Sequence, residues 1–354
     1  MYIPEKQRQK ITEQGRFLMK NKKMIALTFS AAMVAPVFVQ AETTTYAHIQ
    51  FEIANFKDPN RSITVMKDNG RGRVGMKGSH DLEDGMKAFA VAEFDLVGGN
   101  QNSEYGDGVD SAGDSFRGNA LRIREVSASL QTKFGTIETG TLKSAYKYAG
   151  GTEYDPFLNT TLEGRGNYAM SGGVMGHNSF INNAIAYKNQ FGPIRLWLTY
   201  SPDENDTDND TKRDDGQNTS SLKYNAQSFE VFVSRVDRAT TLNDYTSNKI
   251  GGKVNIGESM ALMGQYEMID VSGTDRTNIF LGYQLHYGKS QFVLQYGEQV
   301  TEDSVKNDLD GEYGALGAIY HFNKSVSSFA GYREIKGKGN NENKIISFGL
   351  RVDI

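Results

Sequence analysis

Apolar and polar residues alternate along most of this chain. In 345–354, for example, every second side chain is apolar, namely Ile346, Phe348, Leu350, Val352 and Ile354. Because successive side chains of a strand point to opposite faces, this period of two is typical of a β-strand with one apolar and one wet face. The alternation therefore predicts an all-β protein.

Sixteen segments carry the alternating pattern. Their bounds are 45–56, 71–79, 86–97, 120–133, 135–142, 183–189, 194–201, 219–225, 228–236, 248–255, 259–270, 276–287, 290–299, 313–322, 326–334 and 344–354. Many of them run to about ten residues, the length that a tilted strand needs to cross the hydrocarbon of a membrane.

The connections between these segments differ in length in a regular way. The short ones include 80–85, 190–193, 226–227, 256–258, 288–289 and 323–325, and the long ones include 98–119, 143–182, 202–218, 237–247 and 301–312. An even number of antiparallel strands with tight turns at one end and long loops at the other is typical of an outer-membrane barrel. Since backbone polar groups in hydrocarbon must be paired within the protein, the sheet must close. We predict a transmembrane antiparallel β-barrel of sixteen strands, with long extracellular loops and short periplasmic turns.

The composition narrows the function. The 354 residues include no Cys, which excludes disulfides and thiolate metal sites. Without residues 1–41 the chain has 32 basic and 41 acidic residues, a formal net charge of −9, whereas nucleic-acid binding needs a basic surface. The five histidines have no metal-binding spacing, and the common hydrolase signatures are absent. We expect no cofactor, no metal and no nucleic-acid partner.

The N-terminus has the pattern of an export signal. Lys20, Lys22 and Lys23 precede an apolar run over 24–39, and Val39-Gln40-Ala41 offers a cleavage site. We predict a signal peptide over 19–41 and a mature barrel domain over 42–354. The polar segment 1–18 is foreign to such a signal, so we interpret it as a non-native or wrongly assigned extension.

Several motifs resemble the general porins of Gram-negative bacteria. The segment 73–88 (RVGMKGSHDLEDGMKA) is similar to that family's second strand and first periplasmic turn. The segment 124–140 resembles its R-x-A-x-V-G-L…F-G-T-L-x-x-G hairpin, and 320–324 (YHFNK) resembles its Y-x-[LF]-S-K. The chain departs from the pattern at Phe180, where the family usually carries Arg, and at its final residue, Ile354 rather than Phe.

The resemblance implies an outer-membrane homotrimer. It implies contact with outer-membrane lipids and lipopolysaccharide, and insertion by the barrel assembly machinery through the last strand. Parity puts Glu125, Ser127 and Ser129 on the outer face of the fourth segment. Small and polar outward side chains suit protein–protein packing within a bilayer. We therefore predict the subunit interface on the first five segments.

A barrel of sixteen strands is too wide for its side chains to fill and leaves an aqueous channel. The longest unpatterned stretch is 143–182, and the resemblance implies that it folds inward as the third loop and narrows this channel. Its candidate acids are Glu153, Asp155 and Glu163. Strand parity gives a facing basic wall of Arg73, Lys77, Lys87, Arg122 and Arg124. Glu93 shares that lumen parity and either pairs with a neighbouring base, which we favour, or anchors the loop.

The leading hypothesis is an outer-membrane channel for passive diffusion of small hydrophilic solutes and ions, with a charged constriction between the third loop and the basic wall. One alternative is an outer-membrane barrel hydrolase, which would need His and carboxylates together at an external rim. A loop-based adhesin or phage receptor is a further alternative, and it is compatible with a channel. Stepwise conductance in planar bilayers separates the channel from the hydrolase.

Overall fold

The computed structural model describes residues 42–68, 71–96, 121–171, 179–202, 216–239, 244–302, 310–338 and 342–354. The predicted extension 1–18 and signal peptide 19–41 lie outside these residues. Within the described part, no helix is long and apolar enough to cross a membrane.

Antiparallel strands follow one another around the sheet in sequence order. The first eight are β1 Glu42–Lys57, β2 in two segments Ser62–Lys67 and Arg73–Asp81, β3 Lys87–Leu96, β4 Leu121–Thr132, β5 Gly135–Lys143, β6 Phe180–Phe191, β7 Ile194–Tyr200 and β8 Gln217–Asn225. The others are β9 Phe229–Arg238, β10 Tyr245–Ile256, β11 Met260–Val271, β12 Thr274–Tyr287, β13 Ser290–Thr301, β14 Gly311–His321, β15 Val326–Gly337 and β16 Glu342–Asp353. A short helix, α1 Ala145–Tyr148, begins the long connection after β5.

The sheet closes between its first and last strands. β1 pairs with β16 from His48↔Asp353 to Lys57↔Lys344. At this seam the Asp353 carboxylate contacts the His48 ring nitrogen at 2.6 Å. On its other edge, β1 pairs with both segments of β2. The predicted closed barrel of sixteen antiparallel strands is therefore confirmed.

The second strand is longer than its sequence pattern indicates. The alternation predicts 71–79, whereas Ser62–Lys67 also pairs with β1 ahead of Arg73–Asp81. The two segments are separate stretches of the ladder, the first ending at Lys67 and the second beginning at Arg73. The first segment is short, and the alternation of apolar and polar residues predicts only the second.

The burial pattern separates an apolar outer face from a mixed lumen. On β13, Gln291 and Gln295 are buried, whereas Phe292 and Leu294 are 46% and 55% exposed. Exposed apolar rows of this kind recur on most strands. Since soluble surfaces rarely carry such contiguous apolar area, the outer face matches the hydrocarbon of a bilayer.

One strand departs from simple alternation, and this corrects the predicted outer face of the fourth segment. The register of β4 against β3 shifts between Glu93 and Phe94. Because a bulge inserts one extra residue, the parity reverses beyond it. Glu125 and Ser127 are therefore buried, and Ser129 shares their face, while Val126 and Leu130 are exposed. The bulge leaves an apolar outer face where polar residues had been expected.

Candidate functional site: the loop inside the barrel

The connection between β5 and β6, residues 144–179, is called loop 3 below; residues 144–171 and 179 of it are described. Its residues bond to the inner faces of distant strands. Glu52 on β1 accepts hydrogen bonds from the backbone N–H of Thr161 (2.9 Å) and from its hydroxyl (2.8 Å). Glu267 on β11 accepts from the backbone N–H of Ser171 (2.8 Å) and from its hydroxyl (3.1 Å). Loop 3 is thus held inside the barrel at two separated points.

Apolar contacts extend this attachment along the loop. Phe157 and Leu162 pack into one buried cluster with wall residues such as Phe329 and Ile345. Tyr154, Ala169 and Met170 join a second cluster, whose wall members include Phe232, Met263, Phe280, Tyr313 and Ile335. Loop 3 therefore packs against the wall on the side of β9 to β16.

A wall glycine lets the loop approach closely. A Cβ added to Gly297 on β13 would lie 2.2 Å from the Cβ of Ala169. Real Cβ atoms do not approach so closely, so this position has room for hydrogen alone. By contrast, a Cβ on Gly314 of the neighbouring β14 would meet nothing within 4 Å.

Asp155 lies within this attachment. Its carboxylate is 3% exposed and accepts hydrogen bonds from Gln295 Nε2 on β13 (2.8 Å) and from the backbone N–H groups of Phe157 (2.9 Å) and Gly164 (2.8 Å). Burial raises the pKa of Asp155 to about 6, because desolvation disfavours the charged form. Asp155 is therefore a structural residue that attaches loop 3 to the wall.

The other two predicted loop acids are more accessible. Glu163 accepts hydrogen bonds from the backbone N–H of Asn159 (2.9 Å) and from Arg165 Nη2 (3.3 Å). Glu153 is exposed and accepts one from Lys223 Nζ on β8 at 2.7 Å. Both acids therefore have a basic neighbour, and they lie at different parts of the loop.

Arg124 and Glu93 meet on the wall. Arg124 Nε donates to Glu93 Oε1 (2.7 Å), its Nη1 donates to Asp95 Oδ1 (3.1 Å), and its guanidinium stacks on Phe180 with 4.5 Å to the ring centroid. The Tyr46 hydroxyl donates to the second Glu93 oxygen at 2.8 Å. Glu93 thus pairs with a neighbouring base. Phe180 occupies the position where the family usually carries Arg, and its ring instead stacks on the guanidinium of Arg124.

Arg73 and Arg122 lie beside this pair. Arg73 is half-buried at the start of the second β2 segment, within electrostatic reach of Arg124 and Glu93. Arg122 is 57% exposed and lies 3.2 Å from Asp95. Together with Arg124 they form a group of three guanidinium groups on β2 and β4, the two strands that flank β3.

The two predicted wall lysines lie elsewhere. Lys87 pairs with Asp81 in the last rung of the β2–β3 ladder before the short turn, and the two side chains are 3.4 Å apart. Lys77 is exposed, with its ammonium 5.9 Å from the Tyr46 ring centroid. Lys87 therefore lies at the turn end of the barrel, away from the arginine group.

Three charged residues that the sequence analysis did not select belong to the same region. Lys143 at the end of β5 pairs with the buried Glu125 at 2.6 Å. Lys147 of α1 is buried beside the rings of Tyr148 and Phe180, and burial and neighbouring arginines lower its pKa. Strand parity places Glu125 on the outer face, because the sequence does not reveal the bulge. Lys147 lies outside the strands, so alternation does not predict its position.

The described residues form no group of three His, Asp or Glu side chains that could hold a metal ion. Fixed charges beside an internal loop make up the site. Arginines and paired acids occupy the wall of β2 to β4, and Glu153 and Glu163 lie on the loop.

A closed sixteen-stranded barrel with a loop folded inside defines a transmembrane channel protein. The chain matches the family described as Gram-negative porin over residues 26–340. It therefore belongs to the Gram-negative porin family. It is an outer-membrane β-barrel that forms a channel for passive diffusion, and family and fold point to a channel rather than an enzyme.

Solved porins have a similar fold at low identity. The anion-selective porin from Comamonas acidovorans is 18% identical, with 89% of this chain and 100% of that chain covered and a TM-score of 0.72. OmpF of Salmonella typhi, in complex with daunomycin, is 12% identical, with 88% and 97% covered and a TM-score of 0.69. A trimer form of OmpT from Vibrio cholerae is 14% identical, with 89% and 99% covered and a TM-score of 0.63. No curated protein matches.

Proposed function

We propose that loop 3 and the arginine group of β2 to β4 form a charged constriction that selects small hydrophilic solutes and ions. The observation that carries this proposal is the one-sided attachment of the loop. Its hydrogen bonds to Glu52 and Glu267 and its apolar clusters lie on β1 and β9 to β16. Arg73, Arg122 and Arg124 lie on the remaining wall.

Charges of opposite sign across a narrow gap create a transverse electric field. Polar solutes and water align with such a field, whereas an apolar solute must displace ordered water without replacing its hydrogen bonds. Glu163 and Glu153 supply the acidic side of the gap, and the three arginines with Lys143 supply the basic side. Glu93 and Asp155 act as supports, the first by orienting Arg124 and the second by fixing the loop.

The absence of native Cys makes a direct test possible. In an Arg73→Cys variant, a cationic methanethiosulfonate reagent should restore the wild-type current–voltage relation. An anionic reagent of similar size should instead increase cation preference. Lys344→Cys on the exposed face of β16 is the matched control, and its reaction should leave the current unchanged. Equal responses at the two positions would contradict a lumen role for Arg73.

The channel assembles as a homotrimer through β1 to β5 in this proposal. Small side chains on the third strand support this interface: Ala88, Ala90 and Ala92 share one face, and Ala90 is exposed. One structural relative is described as a trimer form, which is consistent with the proposal. Mass measurement in detergent tests it, since Ala90→Arg should convert a trimer to monomers while Leu316→Arg, on the outer face of β14, should not.

Its surroundings follow from the same proposal. The outer face contacts outer-membrane lipids and lipopolysaccharide, and the barrel assembly machinery inserts the chain through β16. Residues 19–41 are removed as a signal peptide, and 1–18 is not part of the native protein. Sequencing the N-terminus of the exported protein tests the cleavage, which requires Glu42 to be the first residue, and the mass of the unprocessed precursor tests whether it contains residues 1–18.

A further inference from the structure

A cavity lies on the inner face of the barrel, on strands that adjoin the arginine group where the sheet closes. Its volume is about 690 Å³. Four neighbouring strands, β15, β16, β1 and β2, each contribute one residue to a row of directly paired positions along its wall. These residues are Arg333, Ile345, Phe56 and Ile63. Ile345 is fully buried against the loop 3 cluster, so this row faces the lumen.

One side of this cavity is apolar. Phe56, Ile63 and Val65 line it, and Ile63 is 45% exposed although it lies on the lumen face. An apolar side chain that faces lumen water rather than lipid loses its hydrophobic stabilisation. A ligand with an apolar surface would restore that burial.

The other side of the cavity is cationic. Arg333 is 7% exposed, its Nη2 donates to Asn343 Oδ1 (2.9 Å), and its buried Nε has no hydrogen-bond partner among the described residues. The Lys67 ammonium lies 4.8 Å from the Phe56 ring centroid. A buried hydrogen-bond donor without a partner costs free energy. The Nε of Arg333 is therefore suited to donate to an acceptor atom of a ligand.

The acids near this cavity are already engaged or peripheral. Asp58 is bonded to Arg61 at 2.9 Å, and Glu342 is exposed at the rim. Glu52 accepts from Thr161, and Glu163 from Arg165. Two of the basic residues that line the cavity, Lys67 and Arg333, therefore have no carboxylate paired to them among the residues that the structure describes.

We propose that this cavity binds a small organic anion that carries an aromatic or alkyl group, before the anion passes loop 3. The anion's carboxylate bonds to Arg333 and Lys67, and its apolar part covers Phe56, Ile63 and Val65. This site uses the first segment of β2, whereas the arginines of the proposed constriction lie on the second segment of β2 and on β4. Binding here raises the local concentration of such anions above loop 3.

The experiment uses the full-length barrel in planar bilayers, with benzoate as the probe. We expect benzoate to reduce the chloride current in a saturable way, with a midpoint well below that of acetate or benzyl alcohol. Arg333→Gln should raise the benzoate midpoint at least tenfold. Arg276→Gln is the matched control, because Arg276 is a half-buried arginine on the same face of β12 as the buried Asn278 and does not line the cavity.

Several results would overturn the proposal. One is an equal midpoint for acetate and benzoate, which would show that the apolar group contributes nothing to binding. Another is a benzoate effect that Arg124→Gln abolishes and Arg333→Gln leaves intact, which moves the anion to the constriction. If Arg333→Gln does not fold, Ile63→Asp replaces it and should give the same tenfold loss; an unchanged midpoint contradicts the site. Because open-channel conductance in KCl is recorded in each experiment, a failure of the constriction proposal is distinguished from a failure of this one.

Discussion

Glu52 on β1 holds Thr161 of loop 3 through both of its carboxylate oxygens, at 2.9 Å to the backbone N–H and 2.8 Å to the hydroxyl. Glu52 is 1% exposed, so these hydrogen bonds form away from bulk water. A hydrogen bond to a buried charged group contributes about 1.5–3 kcal/mol. One wall carboxylate therefore attaches loop 3 to β1 at Thr161.

Removing this carboxylate should loosen loop 3. In Glu52→Ala, we expect larger current fluctuations and a broader distribution of single-channel conductances, because Thr161 loses its acceptor. Glu138→Gln is the control, since Glu138 is a buried lumen acid that bonds to Ser127 and Lys188 rather than to loop 3. The same broadening in both variants would show that the effect comes from charge loss in the lumen.

Adding one methyl group to the wall should displace the loop. Gly297→Ala puts a Cβ 2.2 Å from the Cβ of Ala169, and overpacking of this kind costs about 1–3 kcal/mol. Gly314→Ala adds the same methyl where nothing lies within 4 Å, and we expect a change within about 0.5 kcal/mol. Thermal unfolding in detergent and single-channel conductance measure the two variants. Equal behaviour would contradict the close contact between loop and wall.

Acid should stabilise the folded protein through Asp155, because protonation removes the cost of a buried charge. Its folded pKa of about 6 lies above the ordinary value of 3.8, so between these values the folded carboxyl binds a proton that the unfolded one does not. The free energy of unfolding should therefore rise as the pH falls from 6 to 4, by up to about 3 kcal/mol from this group.

The comparison with Asp155→Asn isolates that contribution, because the variant keeps every other titratable group. The stability of the wild type relative to Asp155→Asn, measured by unfolding at pH 7 and pH 4, should increase on acidification. A constant difference between the two proteins across this range would show that the carboxyl titrates at its ordinary pKa.

Neutralising the arginine group should change ion selectivity. We expect Arg73→Gln with Arg124→Gln to shift the reversal potential in a KCl gradient toward that of a cation-selective pore, because two fixed positive charges leave the wall. Lys87→Gln removes one positive charge at the turn end and should shift it much less. Unchanged reversal potentials in the double variant would remove these arginines from the ion path.

Sequence alternation predicted the barrel well, for a physical reason. Each strand separates lipid from water, so nearly every position must be apolar or polar according to its face. The bulge at Glu93 and Phe94 breaks that rule locally, and parity alone could not place Glu125. Short strand segments such as Ser62–Lys67 also carry too few positions for a pattern.

The attachment of loop 3 could not be derived in the same way. Thr161 and Glu52 are separated by 109 residues, and neither carries a local signal of their contact. The sequence predicts Asp155 as a pore acid because it lies in the long connection 143–182, where Asp155-Pro-Phe157 resembles the third loop of the family. Its three hydrogen bonds and burial depend on how the loop folds against β13, which no period in the sequence records.

Single-channel recording of a loop 3 variant tests the central claim most directly. Residues 153–170 are replaced by a short Gly/Ser linker, which removes the anchors at Thr161 and Asp155 and, except for Ala149, the loop members of both apolar clusters. The wild type should give stepwise openings. The variant should give steps of clearly larger conductance, because the channel is wider when the internal loop is removed. Steps of equal size in the two proteins, or no steps in the wild type, would contradict a water-filled barrel narrowed by this loop.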